Sequence, residues 1–282
     1  RNALRMDNAA IGGAFARWNA GALQGFLVEA TAAVLAQRDP ETGRPLVDLI
    51  LDEAAQKGTG LWTTEESLRL HVPTPTIDAA VAFRDLSTLK ALRVALAPTL
   101  QGPPEPFAQV PPAERHELLE ALEQALLAAM LLTYAQGFSL LRAASDAYGY
   151  GLDPATVARI WRGGCIIRSA LLAPIAQAFG RSPAMASLLQ DPGIAAMLPA
   201  RQADLRNVLK AGIGCGVPLP AFSACLAYYD AMRQADSPAR LIQAQRDFFG
   251  AHTYSRVDKP GSFHTDWAPL GSDPTGELGK EM

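Results

Sequence analysis

The sequence predicts an all-α protein: a large multi-helix domain with an extended C-terminal tail. Three observations predict it. Apolar residues recur at three- and four-residue steps along most of the chain, the spacing of one helix face. No alternation of apolar and polar residues is long enough for a useful strand. Of the 282 residues 49% are apolar, which excludes a disordered chain and suffices for a large core in one or two domains.

The elements follow in order. Residues 9–37 carry helical periodicity with a break near Asn19–Gly21, and "RDPETGRP" (38–45) is a turn by its Pro and Gly content. "LVDLILDEAAQ" (46–56) reads as a short amphipathic helix, and "TTEESLRLH" (63–71) as a helix whose Thr63 and Glu66 form a capping box. "VPTPTI" (72–77) should be extended, because proline removes donors and restricts its predecessor. Helices resume through 78–98, and a Pro-rich connection spans 100–112. Residues 113–149 form the longest helix, apolar on all faces in its middle and therefore central to the fold. Further helices are expected at 153–161, about 165–179, in short pieces through 184–212, at 220–234 and at 238–249, with Gly250 ending the last. Residues 255–282 are rich in Gly, Pro and Asp and almost aperiodic; such a tail is ordered only where something holds it. The expected organisation is a helical domain over 1–254 and a tail over 255–282, packed on a partner subunit.

Composition removes several function classes. A net charge of −3 offers no bulk field for nucleic acid. Cys165, Cys215 and Cys225 are sparse and lie in apolar surroundings, as reduced thiols of a cytoplasmic protein do. The four histidines have no ligand spacing with one another or with the cysteines, so no metal site is expected. "RNALRMDNAAIGG" has no apolar signal-peptide core, and the apolar run at 125–132 is too short for a membrane span.

Four stretches are candidate sites. "AGIGCGVPLP" (211–220) has a Gly-x-Gly, but it follows a helical segment and is a helix end, not a dinucleotide loop. "WRGGCIIRS" (161–169) reads as a helix–helix junction with solvated or capping arginines. "QKGTG" (56–60) has two glycines that can turn N–H groups toward an anion, with Lys57 as a point charge and Thr59 as a hydroxyl donor. Its order is wrong for a Walker loop, and an ordinary Gly-rich turn is the alternative. "LIQAQRDFFGAHTY" (241–254) puts Arg246 in the last turn of a helix and His252 just beyond it. A cation there is favourable by itself, and local physics prefers that reading to an oxyanion fork.

Taken in order, "WNAGALQGFLVEAT", "ILDEAAQKGTGLWT", "TYAQGFSLLRAA", "WRGGCIIRS", "YYDAMR", "LIQAQRDFFGAHTY" and "KPGSFHTDW" resemble the C-terminal part of 6-phosphogluconate dehydrogenase. The likeness covers all but about the last dozen residues. It implies NADP-dependent oxidative decarboxylation of 6-phosphogluconate to ribulose 5-phosphate in the pentose phosphate pathway, by a homodimer whose tails penetrate the partner subunit. It also implies that Lys57, Thr59 and Arg84 hold the substrate phosphate, and that Arg246 and His252 are supplied to the partner's site.

The departures from the family pattern bear on activity. The family's coenzyme fingerprint, general-base lysine and general-acid glutamate lie upstream of these blocks. The chain has no lysine before Lys57, and Glu29 and Glu41 stand in the wrong contexts to replace the acid. A fragment or processed product that binds substrate without turning it over is therefore expected, with no NADP bound by these residues alone. Leu61 stands where the family more often has a basic residue, a change at the rim of the pocket. The alternative reading is a non-catalytic helical dimer acting as a sugar-phosphate-binding or regulatory module.

Overall fold

The computed structural model describes residues 1, 3–103, 110–111 and 113–267. Twelve α-helices lie in this part: α1 (Asn8–Asn19), α2 (Phe26–Ala36), α3 (Thr59–Arg69), α4 (Pro75–Thr88), α5 (Lys90–Leu96), α6 (Glu114–Tyr148), α7 (Pro154–Ile160), α8 (Leu172–Arg181), α9 (Pro192–Ala195), α10 (Pro199–Gly214), α11 (Pro220–Met232) and α12 (Ala239–Gly250). A two-residue antiparallel pair follows, β1 (Tyr254–Ser255) with β2 (Ser262–Phe263). The all-α class holds, and the chain divides into two compact units, Arg1–Tyr229 and a second from Asp230 onward.

In the first unit α6 supplies the centre. Ala125, Leu127, Ala128, Leu131, Leu132 and Ala135 are buried on it, so the apolar middle of the helix is core. By length and composition alone α6 could also cross a bilayer. Phe138 on α6 packs against Trp161 and Phe179, with ring centroids 5.2 and 5.0 Å away, which anchors α7 and α8. Gln136, a polar residue on α6, is also fully buried. Its Oε1 accepts the Thr76 N–H (3.1 Å) and its Nε2 donates to Thr76 Oγ1 (2.8 Å), so the first turn of α4 is fastened to the core helix. That bond pair seats the α3–α4 hairpin on the scaffold.

Several local expectations need correction. Residues 46–56 do not form an α-helix: a 3-10 turn covers Leu46–Leu49, and 50–57 have no helical structure. Their polar groups are satisfied by α4 and α5 instead; the Ala54 N–H donates to Ser87 Oγ (2.8 Å), and Arg93 donates to the Asp52 carbonyl (3.1 Å). α3 starts at Thr59, four residues before the expected Thr63 cap, because Gly58 takes φ 100° and turns the chain into the helix there. Thr63 is thus interior, its hydroxyl bonded to the Thr59 carbonyl at 2.8 Å, and no capping box forms. Pro75 is not in an extended run but opens α4, where its missing N–H costs nothing. α8 begins only at Leu172, since Gly25 and Ser169 form a β-bridge that holds 168–170 against 24–26. The short β1–β2 pair was not foreseen; two-residue strands leave no periodic trace. Arg246 lies just ahead of the last turn of α12, not in it, and the left-handed cap is Ala251 (φ 48°) rather than Gly250. Most of the 100–112 connection and the tail from 268 on lie outside the described residues.

The remaining punctuation follows the sequence. Gly214 ends α10 with Cys215 as its cap, so "AGIGCG" is a helix end, and Gly149 closes α6 in the left-handed conformation. "WRGGCIIRS" forms the junction between α7 and α8, where Arg168 pairs with Glu29 at 2.5 Å. The cysteines are unpaired.

Candidate functional site

The cradle at 56–60 is built by two packed helices and the segment that feeds them. Asp52 accepts from Lys90 (2.6 Å) and Arg93 (3.0 Å), first the one and then the other pulling its carboxyl down to about 2. Gln56 donates through Nε2 to Asp85. These bonds lay residues 52–56 along α4 and α5 and deliver Lys57 to the start of α3. At the turn between α3 and α4, Thr64 and Thr74 both donate to Asp78, at 2.9 and 3.1 Å, which fixes the two helices together.

At the mouth of α3 the first intrahelical donor is Trp62, bonded to the Gly58 carbonyl at 2.8 Å. The N–H groups of Thr59, Gly60 and Leu61 have no acceptor among the described residues, so they present the positive end of the helix dipole. Gly60 is where α4 comes closest. A β-carbon there would lie 2.9 Å from Val81 Cγ2 and would collide with the Arg84 guanidinium. Arg84 therefore lies across the first turn of α3, against Gly60, the residue that follows Thr59. Lys57 is exposed and Arg84 half-buried, and neither has an ion-pair partner among the described residues. Lys90 and Arg93 nearby are neutralised by Asp52, while these two cations are not. Two uncompensated cations, a hydroxyl and a bare helix N-terminus form a site for a compact anion.

The second unit holds the other two predicted residues. Arg246 is exposed on α12 with no partner among the described residues. His252 is exposed just after the helix; its ring lies edge-on to Phe249 at 6.1 Å and covers Gly250, where a β-carbon would lie 2.7 Å from it. Between them Asp247 is fully buried. It accepts from the N–H groups of Thr253 (2.9 Å) and Thr265 (3.0 Å), from Trp267 Nε1 (2.9 Å) and from His264 Nδ1 (2.9 Å). Burial would raise its pKa, but these bonds outweigh burial and hold it at about 2. The sequence reading gave Asp247 no role, since nothing in "QRDFF" separates a buried acceptor from a solvated Asp. The cradle residues and the Arg246–His252 pair lie in different units.

A family profile described as "6-phosphogluconate dehydrogenase, C-terminal domain" matches residues 1–267. The chain belongs to the 6-phosphogluconate dehydrogenase family. It is 47% identical over 255 residues to the NADP(+)-dependent, decarboxylating 6-phosphogluconate dehydrogenase of Bacillus subtilis, covering 90% of this chain and 53% of that one. It is 44% identical over 263 residues to decarboxylating 6-phosphogluconate dehydrogenase 1 of Oryza sativa subsp. japonica, covering 93% and 54%. The structure superposes on the 6-phosphogluconate dehydrogenase of Plasmodium falciparum with a TM-score of 0.89 at 37% identity, covering 94% and 56%; that protein was solved in its apo form, with NADP+ and with 6-phosphogluconate. The chain thus spans about half the length of the relatives it matches.

Proposed function

We propose that this chain is the part of a decarboxylating, NADP-dependent 6-phosphogluconate dehydrogenase that holds the substrate phosphate and forms the homodimer. The observation that carries the reading is the meeting of Lys57, Thr59, the start of α3 and Arg84 with no counter-charge among the described residues. A phosphate dianion matches that donor set, with Arg84 forking onto two oxygens and Lys57 acting as a point charge. Arg246 and His252 serve the site of the partner subunit.

The chemistry that follows binding needs groups these residues do not offer. A dinucleotide pyrophosphate binds where a strand meets a helix N-terminus across a Gly-rich turn. Gly212 and Gly214 instead lie at the C-terminal end of α10, where carbonyls face outward, and the described residues hold no other such turn. The 282 residues alone therefore bind substrate without turning it over. We place the protein in the cytoplasm, on its three free cysteines.

Calorimetry with 6-phosphogluconate and with gluconate tests the reading. The phosphorylated sugar acid should bind and the other should not. Arg84→Ala and Lys57→Ala should each weaken binding by about 1.5–3 kcal/mol, the scale of a hydrogen bond to a charged group. Equal binding of the two sugar acids would refute the phosphate site.

A further inference from the structure

Gln56 carries a buried carboxamide oxygen with no hydrogen-bond partner in a protein where few such atoms occur. The orientation of the amide is set by chemistry. Asp85 can only accept, so Gln56 must turn its Nε2 toward Asp85 and its Oε1 away. On the far side Oε1 lies 3.4 Å from the point where a β-carbon on Gly60 would sit, and the Arg84 guanidinium crowds the same point. An acceptor without a donor and a guanidinium without an acceptor thus flank one gap at the mouth of α3.

From this juxtaposition we infer that Gln56 is a positioning residue for Arg84. The structure leaves this bond unmade; on anion binding a swing of Arg84 into the gap lets Oε1 take one guanidinium N–H and leaves the remaining N–H groups of the planar fork for the anion. Asp85 holds the amide in that sense, so Asp85, Gln56 and Arg84 act as a relay of orientation, and Gln56 itself never touches substrate. A neutral acceptor is the suitable group. A carboxylate at position 56 would pair with Arg84 and repel a dianion, and an aliphatic side chain would leave Arg84 free to sweep across solvent. The inference rests on the proposed phosphate site.

A double-mutant cycle tests it on the protein at its native length, with 6-phosphogluconate binding followed by calorimetry. Gln56→Leu should weaken binding about tenfold, the lower end of the scale for a hydrogen bond to a charged group, and should weaken it no further in an Arg84→Ala background. Gln56→Glu should weaken binding more than Gln56→Leu, although both lose the bond to Asp85, a charge effect that a packing role would not produce. Loss of the same size in both backgrounds, or no loss in the parent, overturns the inference while the Arg84→Ala defect keeps the phosphate site standing. If Arg84→Ala itself binds normally, the phosphate site fails and the inference goes with it.

Discussion

Arg84 lies across the first turn of α3 because residue 60 has no side chain. Gly60→Ala should therefore displace the guanidinium and press on Val81. Overpacking of this kind costs about 1–3 kcal/mol, and substrate affinity should fall with it; chemical denaturation and calorimetry on the same variant measure both. A fully folded variant with parental affinity would show that the contact is slack. Burial decides reactivity at the cysteines in the same way. Cys225 is fully buried, and loss of solvent pushes its thiol up to about 11, so little of the reactive thiolate forms near neutrality. Cys165 is half-buried, with its Sγ 3.1 Å from the Trp161 carbonyl. Alkylation of native protein near pH 8, read by peptide mass mapping, should label Cys165 and spare Cys225 until denaturant is added.

At the scale of elements, one carboxylate on α12 holds the residues that flank the β1–β2 pair, Thr253 on one side and His264, Thr265 and Trp267 on the other. Asp247 has a pKa of about 2 in the fold against an ordinary 3.8, so its stabilising contribution is complete above about 3.8 and is lost as pH falls through about 2. The indole N–H of Trp267, observed by NMR, should stay protected above that window and exchange within it. Asp247→Asn should remove the dependence by removing acceptors that the Thr253, Thr265 and Trp267 donors share. The long central helix behaves differently, since its energy is packing. Leu131 on α6 is fully buried, and Leu131→Ala should cost about 2–5 kcal/mol. Urea unfolding gives that number directly.

For the whole molecule, the proposed sharing of sites between subunits makes a sharper demand than any single variant. Lys57→Ala and Arg246→Ala should each impair every site of their own homodimer. In a mixed dimer of the two, one site would carry both defects and the other neither. Mixing equal amounts of the variants under conditions of free subunit exchange makes about half of the dimers mixed, and should restore about a quarter of the parental binding sites, counted by titration with 6-phosphogluconate. No recovery in a verified mixed dimer would place Arg246 and Lys57 in the same subunit's site, or in none.

Sequence by itself determined the helical class and the central place of residues 113–149, because a 3.6-residue period is a local fact. The family membership was equally open in the order of its motifs. Tertiary structure decided where local signals were ambiguous. Residues 46–56 have the pattern of an amphipathic helix, but the Ala54 N–H and the Asp52 carbonyl bond to Ser87 and Arg93 instead. Thr63 and Glu66 spell a capping box, but the turn at Gly58 had already begun the helix. Buried partners distant in sequence were beyond any local reading: Gln136 reaching Thr76, Asp247 gathering Thr265 and Trp267, and Arg84 resting on Gly60. A hydrogen bond or a steric gap between residues so far apart has no signature in either segment alone, and folding is what brings Lys57, Thr59 and Arg84 to one place.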